Sequence, residues 1–193
     1  MEDLISLTDY KNAEGISSTS DDTRIKILIT SVSQLVKTYC ANSINDYYSN
    51  NKVEEFNIDW DTSSVQLTEC PVNTIVSVQE RSAYSAAYST LTTGNFDYFL
   101  DSRTDSIFRT NSSGRKINWP QGVAAVKVTY TAGYSEVPED LKLAVLDLVT
   151  YYRKDEHKVR QTLSAATREN APSGASIGFP DHIKRVLDLY KNF

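Results

Sequence analysis

Residues 121–154, QGVAAVKVTYTAGYSEVPEDLKLAVLDLVTYYRK, constrain the fold more than any other stretch of the chain. Val126, Val128 and Tyr130 alternate with Lys127 and Thr129, the period of a half-buried strand. Thr131-Ala132-Gly133-Tyr134 ends that alternation, and Gly133 can take positive φ where the chain must reverse. Pro138 suits a first helical turn, where its missing N–H is not needed, and Glu139 and Asp140 complement the positive end of the helix dipole. Leu141, Ala144, Val145, Leu148, Tyr151 and Tyr152 then recur at helical spacing. The stretch reads as an edge or terminal strand of a sheet joined directly to a long amphipathic helix that reaches about His157.

The rest of the chain arranges itself around this joint. Residues 1–18 form a short lead-in in which Leu4, Ile5 and Leu7 are available for packing. Thr19-Ser20-Asp21-Asp22 offers capping side chains before Ile25, Leu28, Ile29, Val32, Leu35, Val36, Tyr39 and Cys40, which share one helical face. The spacing predicts a helix from about Asp21 to Ile44. Asn-rich polar residues then connect to a β region. There Val65 and Leu67, then Val72, Val76 and Val78, then Phe96, Tyr98 and Leu100 alternate, and Ile107 and Arg109 form a return strand. Thr92-Thr93-Gly94-Asn95 and Asn111-Ser112-Ser113-Gly114 are turn chemistry. Pro180 opens a last helix in which Ile183, Val186, Leu187 and Tyr190 are spaced i, i+3, i+4, i+7. The small, polar residues 161–178 between the last two helices read as a loop.

The expected class is α+β: a helical bundle of about three main helices with an inserted antiparallel β-lobe, either a small sheet or a sandwich. The divisions are a lead-in and helix over 1–52, the β-lobe over 53–133, and the C-terminal helices and loop over 134–193, together one composite domain. At 193 residues the chain is long enough to bury a core. Its net charge of −5 argues against a protein that grips nucleic acid through phosphates. It leaves open a protein that surrounds DNA without holding it. The N-terminus has no apolar segment of the signal-peptide kind, and no run approaches the ~18 apolar residues that span a bilayer. Synthesis in a cytosol and no membrane partner are expected.

Chemistry finds little footing. Gly174-Ala175-Ser176-Ile177-Gly178 fits the nucleophile elbow G-x-S-x-G, with Asp181 and His182 following. The elbow needs a strand before it, and Glu169-Asn170-Ala171-Pro172-Ser173 is none. Adjacent Asp and His side chains diverge at a helix start and do not orient one another. His157 and His182 are the only histidines and lack partners at metal-ligand spacing, so no catalytic residue, metal or cofactor is expected. Cys40 and Cys70 read as buried free thiols. Most of the twelve tyrosines suit core or protein interface, being large and amphipathic.

Several blocks resemble one known family in order. VKVTYTAGY-x-x-VP-x-DLK-x-A (residues 126–144), the first helix ending in Tyr39-Cys40, Leu67-Thr68-Glu69-Cys70-Pro71-Val72-Asn73-Thr74-Ile75, Trp119-Pro120-Gln121-Gly122, and Phe179-Pro180 with Ile183, Leu187 and Tyr190 resemble the head–tail connector (adaptor, or head completion) proteins of tailed bacteriophages. The β-lobe from Ala83 to Gly114 is long for that family. The resemblance implies a structural virion protein of the neck, made in the host cytoplasm. It would form a ring with copies of itself, in this family typically a dodecamer, beneath the portal protein. That ring would extend the channel through which DNA passes without specific binding, and dock a stopper or tail-completion protein. A head-closure or tail-completion protein is the alternative, and a serine hydrolase the remote one. The candidate portal-docking residues are Phe179, Ile183, Val186, Leu187, Tyr190 and Phe193, on an amphipathic helix suited to a groove. Packing of the same residues on the chain's own helices is the competing reading, and the two are compatible. The acidic net charge further suits a channel wall that repels phosphate.

Overall fold

The computed structural model describes residues 2–154 and 179–191, and these fall into two compact units, residues 1–42 with 136–193 and residues 43–135. The first unit contains four helices among the described residues: α1 (Leu7–Glu14), α2 (Asp22–Cys40), α3 (Glu139–Arg153) and α4 (Asp181–Asp188). The bundle therefore gains a short helix where only a lead-in was expected. Ser6 and Asp9 explain it: each side chain bonds the other's backbone N–H, a capping box, and Gly15 closes the helix in the left-handed region.

That short helix is anchored. Leu4, Ile5 and Tyr10 are buried, and the Tyr10 hydroxyl lies 3.1 Å from Thr150 Oγ1 on α3. Lys11 Nζ donates to Asp22 at 2.8 Å, tying α1 to the start of α2. Along α2 the residues Ile25, Ile29, Val32, Val36 and Cys40 are buried at the expected spacing. The helix ends at Cys40, short of the predicted Ile44, because Ala41 adopts φ 50° and its N–H turns back to the last carbonyls. On α3 Leu141, Ala144, Val145, Leu148 and Val149 face inward; the expected continuation to His157 lies outside the described residues.

Seven strands build the second unit: β1 (Lys52–Ile58), β2 (Ser64–Gln66), β3 (Val72–Glu80), β4 (Ser89–Leu91), β5 (Tyr98–Asp101), β6 (Ser106–Arg109) and β7 (Gly122–Ala132). They form two antiparallel sheets, ordered β1-β7-β3-β4 and β2-β6-β5. The strand expected at an edge, β7, is central, paired to β1 on one side and β3 on the other. Alternation reports which face of a strand is buried, not how many neighbours its backbone has. The two sheets share one core: Val126, Val128 and Val78 from one sheet, Val65 and Ile107 from the other, with Trp119 and Leu67 from the connections. In β3 the pairing register shifts between Val72 and Thr74 and again between Ile75 and Ser77. These irregularities leave Val76 exposed although simple alternation groups it with Val78.

A polar network supports this unit. Glu69 accepts from Ser43 N–H at 2.8 Å, Ser43 Oγ at 3.0 Å and Lys52 Nζ at 2.8 Å, and its own N–H donates to the Tyr130 hydroxyl at 3.2 Å. Burial pushes the Tyr130 hydroxyl to titrate well above the ordinary tyrosine range.

Both cysteines are thiols, as expected, but their surroundings differ. Burial pushes the Cys40 thiol up to about 11, whereas Cys70 is only half-buried and is raised less far. A thiolate is the reactive species, so Cys40 stays inert well above neutral pH. Titration of the native protein with a thiol reagent at pH 8 should label at most one cysteine, Cys70, and label Cys40 only in denaturant. Fast native labelling of two thiols would contradict the packing around Cys40.

Candidate functional site

Pro180 starts α4 with φ −52° and ψ 139°, and the Lys184 N–H donates back to its carbonyl at 3.0 Å. One helical turn apart, Ile183 and Leu187 point into the first unit and are buried. Phe179 is also buried and meets Tyr39 of α2 edge to face, with ring centroids 5.0 Å apart. Four polar contacts hold the helix to α2 and α3. Tyr39 Oη donates to Asp188 at 2.8 Å, Cys40 Sγ to the Leu187 carbonyl at 3.5 Å, and Tyr190 Oη to Asp140 at 2.6 Å. His182 lies 3.9 Å from Asp147. Lys191 sits 2.9 Å from Asp188 and 4.1 Å above the Tyr39 ring; that lysine, then Tyr39, holds the Asp188 carboxyl below the usual carboxylate range.

The six candidate docking residues thus divide. Phe179, Ile183 and Leu187 pack on the chain's own helices, Val186 and Tyr190 are half-buried at the margin, and Phe193 lies outside the described residues. Sequence spacing missed Leu189, which is 76% exposed, and Leu143 on α3, also exposed. Leu189 follows Val186 by three positions and so continues its stripe. Counting i+3 from Val186 as well as from Ile183 would have found it.

The serine pattern at 174–178 and His157 also lie outside the described residues. Its neighbours Asp181 and His182 are described; the imidazole faces Asp147, and both side chains of that contact are half or more exposed. Among the described residues no group of three or more His, Cys, Asp or Glu could hold a metal ion, and no helix is long and apolar enough to cross a membrane. What α4 presents outward is a margin of half-buried Val186 and Tyr190 with exposed Leu189, on a helix anchored by its other face.

The model of the head completion protein family matches residues 3–193. The chain belongs to the head completion protein family. A head completion protein of Escherichia phage T5 is 23% identical over 190 residues, spanning 97% of this chain and 98% of its own. The fold is similar to a chain in the neck of an empty gene transfer agent particle computed with C6 symmetry (TM-score 0.62, 13% identity, 98% of this chain and 90% of that one). It is also similar to one in the neck of the native particle computed with C12 symmetry (TM-score 0.54, 15% identity, 100% and 94%). The resemblance to phage head–tail connector and completion proteins is therefore borne out. Head completion proteins are structural virion proteins, and phage, virion and neck are the terms that describe them.

Proposed function

We propose that this chain is an adaptor subunit of a phage neck. Copies of it form a ring beneath the portal, lengthen the DNA channel and present a platform to the next neck or tail protein. The family match over nearly the whole chain carries this reading. Likeness to neck chains in particles treated with sixfold and twelvefold symmetry supports a ring, and a dodecamer is the form proposed here. Head closure is the neighbouring reading, and the same family match fits it as well. The two differ in partner, since an adaptor binds the portal itself. Subunits would be made in the host cytoplasm and end in the virion neck, with an acidic channel wall that lets phosphate slide.

Portal docking is proposed for the outward margin of α4, with Phe193 beyond it. Deleting residues 180–193 would strip Ile183 and Leu187 from the core and unfold the first unit, so point changes are the better test. Val186→Asp with Leu189→Asp should leave the fold intact and lower affinity for purified portal by about tenfold or more, as removal of interface anchors does. Sedimentation of portal mixed with each protein measures it. Undiminished binding by the double variant would remove α4 from the portal contact. Failure of the unaltered chain to bind portal would remove the adaptor reading.

A further inference from the structure

Trp60 at 70% exposure, Phe96 at 62% and Phe99 at 59% stand in solvent on the second unit, as do Tyr48 and Tyr84, the latter with Arg81 over its ring. The position of Phe99 follows from the sheet register. Val65, Ile107 and Leu100 lie side by side across β2-β6-β5, with Ile107 fully buried, so Phe108 and Phe99, paired with each other, face the opposite way. Lys116 Nζ lies 3.4 Å from the centre of the Phe108 ring, and Arg115 beside it is exposed. Among the described residues no salt bridge within 4 Å involves either cation, although Lys116, after Arg103, helps to hold the Asp101 carboxyl below the usual carboxylate range.

Phe96 adds a second observation. It is held at φ 57°, a conformation that a bulky residue adopts only under constraint. The constraint is visible: its N–H donates to the Thr93 carbonyl at 3.0 Å, and its carbonyl accepts from the Thr110 hydroxyl. The chain thus spends local strain on a ring that it leaves in water. Strain of this kind clusters at ligand clamps and switch regions. It also occurs at buried Ile44, so the exposure of the Phe96 ring is what points outward, and exposed aromatics are the usual anchors of protein interfaces.

The counterpart is on the same unit. Trp60 is flanked by Asp59 and Asp61, all three exposed, on the connection that leads into β2. In the sheet order β2-β6-β5, that connection enters at one edge and Phe99 stands on the other edge strand. One patch is aromatic with cations, the other aromatic with anions. A ring closed by rotation needs a head-to-tail contact between two different surfaces of the same chain, and these two are complementary in charge.

We infer that the Phe96–Phe99–Lys116 face of one copy receives the Asp59–Trp60–Asp61 loop of the next copy, and that this contact closes the ring. The inference rests on the ring reading above.

Charge reversal tests it. Full-length Asp59→Lys/Asp61→Lys, Arg115→Glu/Lys116→Glu and the fourfold combination are each mixed with portal, and the copies bound per portal are counted by native mass spectrometry. Far-ultraviolet circular dichroism verifies that each is folded. Each double variant should need about tenfold or more higher concentration to fill the ring. The fourfold variant, in which every junction is restored with signs exchanged, should return to within about threefold of the unaltered chain. Phe99→Ser should weaken filling without any charge change. Double variants that fill normally, or a fourfold variant no better than its parents, would overturn the contact while leaving the adaptor reading standing. Loss of the first bound copy, with neighbour association unchanged, would assign the patch to portal and overturn it equally. An unaltered chain that binds portal as single independent copies would sink the ring reading and this contact with it.

Discussion

Gly133→Ala should destabilise the second unit by about 3–5 kcal/mol, among the largest effects of any single methyl group. Gly133 has φ +97°, and a Cβ built there would stand 2.2 Å from the Ile44 carbonyl oxygen and 3.0 Å from its carbon. Two terms therefore add. Holding an L side chain in that region costs about 1–3 kcal/mol. Relieving the overlap requires backbone to move, because the obstructing atom is a carbonyl and not the end of a flexible side chain. The movement breaks good hydrogen bonds: Tyr134 N–H to the same Ile44 oxygen at 2.8 Å, and Gly133 N–H to the Pro71 carbonyl at 2.8 Å, each worth about 1 kcal/mol net.

The control is Gly114→Ala. Gly114 has φ +71° but nothing within 4 Å of the added methyl, so it bears only the conformational part, about 1–2 kcal/mol. Urea unfolding followed by tryptophan fluorescence measures both, since Trp60 and Trp119 are the only tryptophans and both belong to the second unit. Equal losses for the two variants would show that the approach to Ile44 is not what demands a glycine at 133.

This position also shows where sequence reasoning stops. That Gly133 takes positive φ was legible, because a strand-breaking Thr-Ala-Gly-Tyr run is local chemistry. That its missing Cβ makes room for Ile44, 89 positions earlier, was not, since no local pattern encodes which distant turn will be its neighbour. The same division runs through the rest. Helical faces on α2, α3 and α4 were readable from period, and so was the antiparallel character of the strands. Capping by Ser6 and Asp9 was present in the sequence, three residues apart, and went unread because the helix it starts is only eight residues long. The central place of β7 and the register shifts in β3 depend on which strands pair, which alternation does not carry. At the candidate site the periodic residues identified the helix, but period alone cannot divide an apolar stripe into its anchored side, Ile183 and Leu187, and its free margin, Val186 and Leu189. The exposed Trp60, Phe96 and Phe99 were equally hidden, because an aromatic in a β pattern looks the same whether it faces core or solvent.

The second large effect is expected at the pair that ties the two sheets of the second unit together. Arg109 on β6 reaches Glu80 on β3 with both ends of its fork, Nε to Oε2 and Nη2 to Oε1, each at 2.8 Å. Its third nitrogen, Nη1, donates to the carbonyls of Asp97 at 2.7 Å and Thr110 at 2.6 Å. The side chains of the pair are only 13% and 18% exposed. The Glu80 hydrogen bonds hold the guanidinium above even its ordinary range, so it is charged at every pH at which the protein folds. Replacing one partner strands the other's charge out of water, which costs about 3–5 kcal/mol. Arg109→Met should therefore be severe, and Glu80→Leu similarly so. Removing both strands neither charge of the pair, although the Asp97 carboxylate, 3.9 Å from Nη1, and the two carbonyls still lose the guanidinium, so the double variant should be no worse than Arg109→Met alone, a coupling of about 2–3 kcal/mol or more. Because the pair is largely buried, raising salt to 0.5 M should change the coupling little, whereas an exposed pair would lose most of it. Additive losses in the double variant, or a coupling that vanishes in salt, would mean that the two sheets are held by their shared apolar core and that this ion pair merely rides on it.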